Sequence, residues 1–375
     1  MGKVYTIIEA EKGKALMRIF IFGLTITSSW GNGHATIWRG LCRALHKRGH
    51  NIVFFEKNVS YYADNRDLTE FEGADIILYN DWAEIISYAE KALLNADVGL
   101  VSSYCPDGVA ASDLVNNSNA SVKIFYDLDT PVTLKILSEK GTVPYIGKRG
   151  LQDFDLVLSY TGGEAITGLK NKLTAKNAVP LYGCADPDFH YPVPFSKDYR
   201  ADFSYLGTYA PDRQQALMEF FIKPAKQMPH KKFLIGGSQY PANFPWAENI
   251  HFIDHVRPPE HPAFYCSSPF TLNITRGTMA EMGYCPSGRL FEAASCGVPI
   301  ISDYWTGIEK FFTPGSEIMI VKKSEDVIEA LNMLEDNRIK ISERAREKVL
   351  SEHTAEHRAA EFENILSACF QSVKE

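Results

Sequence analysis

The chain has 375 residues, of which 45% are hydrophobic and 23% charged, and its formal net charge at pH 7 is −7. This composition is typical of a folded globular protein long enough for two domains, and the negative charge argues against bulk binding to nucleic acid or to anionic membranes. No apolar run approaches the roughly 18 residues of a transmembrane helix. The seven cysteines form no CxxC pair and no Cys/His zinc spacing, so we expect a cytoplasmic protein.

The first residues do not have the pattern of a secretory leader. Residues 1–16 lack the order of charge, apolar core and small-residue cleavage site that marks a signal peptide. Met17 stands directly before the first strand pattern. We therefore expect residues 1–16 to be an appendage, or the start to be misassigned.

Strand and helix patterns alternate through the first half of the chain. Arg18–Gly23 reads as a buried strand, a glycine-rich turn follows at 28–34, and a helix runs from Ala35 to about Arg48. This alternation predicts a doubly wound parallel sheet, in which ligands bind beyond the carboxyl ends of the strands. Further strands are predicted at 51–55, 74–79, 98–102, 122–126, 155–159 and 178–182.

The glycine-rich turn contains Gly31 and Gly33, directly before His34. Its spacing is not GxGxxG, so it does not indicate a dinucleotide fold. Glycine here either lets backbone N–H groups approach an anion or a sugar, or simply forms a tight turn. At the start of a helix the dipole favours a neutral His34 ring, which can accept a proton from a hydroxyl or else cap the helix.

Two carboxylates follow the predicted strand at 122–126. Asp127 and Asp129 lie where a doubly wound sheet places its chemistry, so both are candidates for a catalytic site. Asp129 also precedes Thr130 and Pro131, a good signal for a helix start, and can instead serve as a cap.

A linker is predicted where turn-forming residues accumulate. Residues 183–194 contain three prolines between two regular regions. We place the domain boundary within 185–200, with a first domain at 17–190, a second at 191–350 and a closing helix at 351–375.

The second half repeats the alternation, with strands predicted at 202–206, 232–235, 249–253, 271–276, 298–302 and 317–321. Helices are predicted at 211–226 and 305–312. Arg213 follows the first of these strands, and its guanidinium can bind phosphate or lie on a helix surface. The loop after 249–253 carries His255, Val256 and Arg257.

The stretch 286–312 organises this half. Ser287 is predicted to cap a helix with its hydroxyl, and Gly297 to end that helix in the left-handed conformation. Glu292 is a carboxylate among apolar neighbours, so it needs a partner, either the vicinal hydroxyls of a ligand or Arg289. Arg276 and Arg289 are expected to converge on the helix start near Ser287 and form, with the Ser287–Arg289 amides, a diphosphate pocket; the alternative is that each lies on the surface.

These motifs resemble those of a known family. FEAASCGVPII (Phe291–Ile301) resembles the nucleotide-sugar site of GT-B glycosyltransferases, especially family 4, and the following SDYWTGIEKFFTPGSEI resembles their CgeB-like branch, named after a spore-maturation protein. GNGH at 31–34 and YDLDTPVTL at 126–134 are similar as well. The resemblance implies two Rossmann-like domains facing a central cleft, with a C-terminal helix returning to the first domain.

The resemblance also implies a function. The donor would be a UDP-, GDP- or dTDP-linked sugar, and the acceptor a hydroxyl of a glycan, lipid, protein or nucleic acid. Glu292 would bind the ribose, the loop 255–257 the base, and Arg213 the diphosphate, while the loop with Gly31 and Gly33 would face donor and acceptor.

One position departs from the family pattern. Tyr284 stands where family 4 enzymes carry a second Glu that contacts the transferred sugar. Retention of configuration is implied, but this departure leaves inversion open.

We expect no metal and no cofactor, because cationic side chains and the helix dipole can stabilise the diphosphate, and DLD at 127–129 falls in the wrong domain for a donor metal. The alternatives are an epimerase or phosphorylase of the same fold, or a non-catalytic sugar-binding or spore-coat protein.

Overall fold

A computed structural model describes residues 16–372, and most of the predicted appendage at 1–16 therefore lies outside the described residues. The strands are β1 (Arg18–Gly23), β2 (Asn51–Lys57), β3 (Asp75–Tyr79), β4 (Val98–Ser102), β5 (Val122–Asp127), β6 (Leu156–Ser159), β7 (Ala178–Pro180), β8 (Phe203–Leu206), β9 (Phe233–Gly236), β10 (Ile250–Ile253), β11 (Thr271–Asn273), β12 (Ile300–Ser302) and β13 (Met319–Ile320). They form two fully parallel sheets, one in each domain, in the orders β3-β2-β1-β4-β5-β6-β7 and β10-β9-β8-β11-β12-β13.

Helices cover both faces of each sheet. They are α1 (His34–Lys47), α2 (Ser60–Ala63), α3 (Trp82–Leu93), α4 (Gly108–Asn116), α5 (Thr130–Lys140), α6 (Glu164–Leu173), α7 (Gln214–Leu217), α8 (Lys223–Gln227), α9 (His261–Cys266), α10 (Gly277–Met282), α11 (Gly288–Ser295), α12 (Ser324–Leu331), α13 (Glu335–Glu352) and α14 (Ala355–Ser372). Within the described range, no helix is both long and apolar enough to span a membrane.

The predicted α/β architecture of two doubly wound domains is confirmed, with local differences. The helix predicted at 211–226 is interrupted, because a π turn at Met218–Ile222 separates α7 from α8. The helix predicted at 305–312 shrinks to the 3-10 turn Ile308–Lys310, since Gly307 directly before it is left-handed at φ +93°. These differences lie at short elements whose backbone is set by tertiary packing rather than by local pattern.

The strand orders fix where a ligand can bind. In the first sheet β1 lies between β2 and β4, and in the second β8 lies between β9 and β11. The chain leaves β1 toward β2 on one side but leaves the neighbouring β4 toward β5 on the other, and β8 and β11 differ in the same way, which opens a crevice at the carboxyl ends of each pair. The loops after β1 and β8 thus begin the two halves of a potential site.

Two chain segments cross between the domains, and they run side by side. Residues 181–202 connect β7 to β8, which is where the sequence places the linker. Ala185 donates a hydrogen bond to the His353 carbonyl (3.0 Å) and accepts one from Ala355 (2.7 Å), between α13 and α14. The second crossing carries the chain back to the first domain.

The closing helix α14 completes the first domain. Ala359, Phe362 and Leu366 of α14 are fully buried in the same hydrophobic cluster as Trp38 and Leu41 of α1. The helix also places Glu363, 6% exposed, beside buried His50 (3.0 Å) and in a two-pronged ion pair with Arg48 (2.6 and 2.7 Å).

We predict that Glu363→Ala lowers the free energy of unfolding by about 3 kcal/mol, because it leaves Arg48 and His50 without their buried carboxylate. Glu356→Ala removes a solvent-exposed carboxylate from the same Arg48 and should cost less than about 1 kcal/mol. Urea denaturation followed by circular dichroism measures both. Equal effects of the two variants would contradict the buried role of Glu363.

Candidate functional site

A cleft of about 650 Å³ separates the two domains at the carboxyl ends of both sheets. Most of the residues singled out in the sequence line it, namely Gly31, Gly33, His34, Asp129, Arg213, His255, Val256, Arg276, Ser287, Gly288, Arg289 and Glu292. Asp127, Arg257 and Tyr284 do not.

A histidine and a carboxylate meet on the first-domain wall. His34 begins α1 and Asp129 precedes α5, and His34 Nε2 lies 2.8 Å from Asp129 Oδ2. The other ring nitrogen, His34 Nδ1, is buried without a hydrogen-bond partner. The His34 side chain is 9% exposed and that of Asp129 is 23% exposed. Asp129 is therefore the more accessible member of the pair, and His34 lies behind it and orients its carboxylate.

Asp127 lies behind this wall. It is fully buried, accepts hydrogen bonds from Thr133 Oγ1 (2.9 Å) and the Asp129 amide (3.1 Å), and leaves Oδ2 unpaired. Burial raises the pKa of Asp127 to about 6, although these hydrogen bonds oppose the shift. Its position suits it to holding the turn that carries Asp129, not to contacting a substrate.

Buried ionic groups hold the glycine-rich loop in place. Glu56 is completely buried and accepts hydrogen bonds from the Ile26 (2.7 Å) and Thr27 (3.0 Å) amides. Arg39 binds Asp67 through two nitrogens (2.8 and 3.1 Å), and Asp67 in turn accepts two hydrogen bonds from Ser29. The sequence analysis did not assign these residues. The position of Glu56 within the strand Asn51–Lys57 is the one sequence feature that could have indicated a buried carboxylate here.

A side chain could not be accommodated at Gly31 of this loop, whereas there is room for one at Gly33. Gly31 has φ +58°, and a Cβ there would lie 2.9 Å from the Tyr61 hydroxyl and 3.3 Å from Gln239 Nε2. Those two groups hydrogen-bond to each other across the domains at 3.0 Å, so Gly31 permits a close approach of the two walls. A Cβ on Gly33 would meet nothing within 4 Å, so that position faces open space.

On the second-domain wall, Glu292 of α11 is 8% exposed. The Tyr265 hydroxyl donates to its Oε2 (3.1 Å), and His261 Nδ1 lies 3.6 Å from the same oxygen. Burial alone would raise the pKa of Glu292, but the neighbouring His261, His190 and Tyr265 outweigh it and lower the pKa to about 2. Glu292 is thus a buried anion held by α9 and the linker, and Arg289 is not its partner.

Three arginines line the second-domain side of the cleft, and one of them, Arg289, lies in the first turn of α11. Arg289 donates to the Leu206 carbonyl and to Asn273 Oδ1 (2.9 Å), Arg213 donates to the Thr208 carbonyl (3.0 Å), and Arg276 pairs with Asp212 (3.4 Å). All three line the cleft, as the predicted diphosphate pocket requires.

The predicted side-chain cap is wrong. Ser287 occupies the N-cap position with extended backbone (φ −68°, ψ 141°), but its hydroxyl makes no capping hydrogen bond. The hydroxyl and the adjoining Gly288 instead line the cleft, beside the first-turn amides that a helix cannot pair internally. Gly297 ends α11 with φ +73°, as the sequence predicts.

Tyr284 joins the two domains rather than lining the cleft. Its carbonyl accepts from the Gly162 amide (3.0 Å) and its amide donates to the Thr306 carbonyl (2.7 Å). Cβ atoms on Gly163 and Gly307 would lie 2.6 and 2.5 Å from its ring, so this ring packs between two glycines. The structure thus places it outside the predicted donor site.

Only two of the three residues of the predicted base-binding loop line the cleft. His255 and Val256 line the cleft, and the His255 ring meets Trp30 of the first domain edge-on at 4.8 Å. Burial lowers the pKa of His255. Arg257 instead points to solvent, where it pairs with Glu260 (3.1 Å).

His261 and Tyr265, which were not predicted as site residues, lie four residues apart on α9 and so project from one face. That spacing was visible in the sequence, but nothing local shows that the face meets Glu292. Asp303, which accepts hydrogen bonds from the Thr275 amide and hydroxyl, is likewise placed only by the fold.

Comparison with known proteins agrees with this geometry. Residues 213–364, less than half of the chain, match the family model described as "Glycosyl transferase-like". No curated protein sequence matches the chain. Sucrose-phosphate synthase from Thermosynechococcus elongatus superimposes with a TM-score of 0.67 at 13% identity, covering 95% of this chain and 100% of that chain.

Two further solved structures are similar. Anabaena Alr3699/HepE in complex with UDP-glucose gives a TM-score of 0.67 at 11% identity, and an alpha-glucosyltransferase with UDP and a 13-mer DNA gives 0.69 at 13%. Each covers 94% of this chain and 100% of its own. The fold is GT-B. At these identities the likeness establishes the GT-B architecture, in which two Rossmann-like domains face a cleft.

We predict that Asp127→Asn changes how the stability of this GT-B protein depends on pH. The folded pKa of about 6 lies above the ordinary carboxyl value, so the wild type loses stability relative to the variant as pH rises from about 4 to 6. Melting temperatures across this range measure the difference, with Asp113→Asn on the exposed face of α4 as the control. A constant difference between wild type and Asp127→Asn would refute the assignment.

Proposed function

We propose that this protein is a glycosyltransferase that moves a sugar from a nucleotide-diphosphate sugar to an acceptor hydroxyl. The observation that carries the proposal is the second-domain wall, where a buried anionic Glu292 lies one turn into α11 and Arg289 lies beside the start of the same helix. The GT-B fold and the matched family model support the same conclusion.

Donor binding follows from the chemistry of that wall. A carboxylate accepts hydrogen bonds from vicinal hydroxyls, which suits Glu292 to a ribose. The first-turn amides of α11, with Arg213, Arg276 and Arg289, offer donors and positive charge to a diphosphate. We propose that these groups hold the leaving diphosphate without a metal. Two of the neighbours named above, Alr3699/HepE and the alpha-glucosyltransferase, are complexes with UDP-glucose or UDP, so UDP is the first nucleotide to test.

The base is proposed to lie against the loop at His255 and Val256. Lowering of the His255 pKa by burial favours a neutral ring, which can accept or donate a single hydrogen bond toward a base edge. The contact between His255 and Trp30 ties this loop to the first domain. Base binding and closure of the two domains would then involve the same residues.

On the acceptor side we propose that Asp129 receives the acceptor hydroxyl, with His34 orienting the carboxylate. Resemblance to family 4 and to its CgeB-like branch supports retention of anomeric configuration. A cleft-facing carboxylate in the first domain is the observation that favours inversion instead, since it can act as a base toward the incoming hydroxyl. The anomeric configuration of the product, read by NMR, decides between the two.

We propose a cytoplasmic location, because the seven cysteines show no pattern of paired disulfides.

The donor assignment is tested by binding and by turnover. UDP should raise the melting temperature of the protein, and a panel of UDP-, GDP- and dTDP-sugars should include one that is hydrolysed or transferred. Glu292→Gln should weaken donor binding about 10- to 100-fold, because a charged hydrogen-bond acceptor becomes neutral. Isothermal titration calorimetry measures the affinity.

Glu309→Gln, an exposed change in the same domain, is the matched control and should leave the affinity unchanged. Absence of binding by every nucleotide tested would overturn the proposal. Conversion of the donor sugar without any acceptor would indicate an epimerase, phosphate-dependent cleavage would indicate a phosphorylase, and sugar binding without turnover would indicate a non-catalytic protein.

Asp129→Asn should lower the turnover number about 100-fold or more while leaving donor affinity within about twofold, because the variant keeps the shape but loses the basic oxygen. His34→Ala should give a smaller loss of turnover, again with donor affinity retained. Asp254→Asn, which is exposed, serves as the control. Unchanged turnover in Asp129→Asn would exclude a role for this carboxylate in the reaction.

A further inference from the structure

Three side chains from separate elements converge behind the ribose end of the cleft. His190 lies on the interdomain segment, His261 on α9 and Glu292 on α11, and one ligand atom from each lies within 4.8 Å of the others. His190 and Glu292 are buried, and His261 is partly buried. We propose that these three residues bind one divalent transition-metal ion, with Zn²⁺ as the best match.

The His261 ring is already oriented for such a role. Its Nε2 lies 3.2 Å from the Val256 carbonyl, which can only accept, so Nε2 carries the proton. In the neutral ring this leaves a lone pair on Nδ1, and that atom is buried without a hydrogen-bond partner. Histidines that bind metals commonly donate their other N–H to a backbone carbonyl in this way, which fixes the tautomer.

The distance between His261 and Glu292 fits an ion between them. Nδ1 lies 3.6 Å from Oε2, which is too long for a hydrogen bond. Two ligand atoms bound at about 2.1 Å around a tetrahedral Zn²⁺ are about 3.4 Å apart. A divalent ion between them would give the unpaired Nδ1 a partner and would also pair with the buried carboxylate.

His190 and Glu292 are held in place by bonds that ligation leaves intact. The His190 carbonyl accepts from Ser295 Oγ (2.5 Å), which fixes the linker against α11. Tyr265 donates to Glu292 Oε2 (3.1 Å) and would continue to orient a ligated carboxylate. The Asp186 amide lies 3.4 Å from His190 Nδ1, and ligation through either ring nitrogen would replace only this long contact.

Two imidazoles and one carboxylate favour Zn²⁺ and related ions over Mg²⁺ or Ca²⁺, which prefer oxygen ligands. The ion would bind Glu292 through Oε2, leaving Oε1, the oxygen nearest Gly288, directed toward the start of α11. It would therefore lie at the ribose end, away from the proposed diphosphate pocket. This departs from the expectation of a metal-free protein and does not depend on the proposed donor.

The test uses the full chain without an affinity tag, stripped with EDTA and then dialysed. Calorimetric titration with Zn²⁺ should give one site per chain, and Co²⁺ should produce the visible d–d bands of a low-coordinate site. His190→Ala should weaken Zn²⁺ binding at least tenfold. His251→Ala, an exposed histidine on β10, should bind as the wild type does.

Circular dichroism confirms that each variant is folded before titration. Absence of the Co²⁺ bands from the wild type would overturn the proposal regardless of any variant. Equal Zn²⁺ affinity in wild type and His190→Ala would do the same, because it would show adventitious binding elsewhere. Nucleotide binding by the stripped protein is measured separately, so failure of the metal site and failure of the donor site give different results.

Discussion

A buried carboxylate needs donors or positive charge around it, and much of the second domain serves that need at Glu292. The side chain is 8% exposed, and the groups around it come from α9 and from the interdomain segment. Because desolvation would otherwise favour the protonated acid, these neighbours are what keep Glu292 anionic in the cleft. The charge of Glu292 therefore depends on where α9 and the interdomain segment lie, because these two elements supply the groups around it.

In the first domain, buried charged residues hold the glycine-rich loop in place. Its glycine-rich loop is held by the buried Glu56 and by the Arg39–Asp67 ion pair, so the backbone near His34 is fixed before any ligand arrives. Such support lets a loop beyond a sheet carry functional groups with the precision of the sheet itself. The two walls then meet through small contacts, Tyr61 with Gln239 and Trp30 with His255, which a domain rotation can break.

The features that could be predicted from the sequence are those that depend on a few neighbouring residues. Hydrophobic runs, glycine stops and the 183–194 proline segment predict both sheets and the linker, because each reflects a preference of a few neighbouring residues. Twelve of the fifteen predicted site residues also line the cleft; Asp129 was predicted because it follows a strand, whereas His255 and Glu292 were predicted from the family resemblance. Contacts between side chains that are far apart in the sequence could not be predicted from local patterns. Asp129 faces the cleft ahead of His34, and Glu292 meets His261 rather than Arg289, only because the tertiary fold brings distant segments together.

The return of α14 to the first domain has a consequence for synthesis of the chain. Phe362 and Leu366 belong to the same core as Trp38, so that core lacks part of its interior until α14 has been synthesised. Domains are usually completed in the order in which they are translated. Here the order is reversed, since β8 to β13 of the second domain have all been synthesised by Ile320, while the first domain still lacks α14. Removal of the last turns of α14 would therefore take core side chains from the domain that is synthesised first.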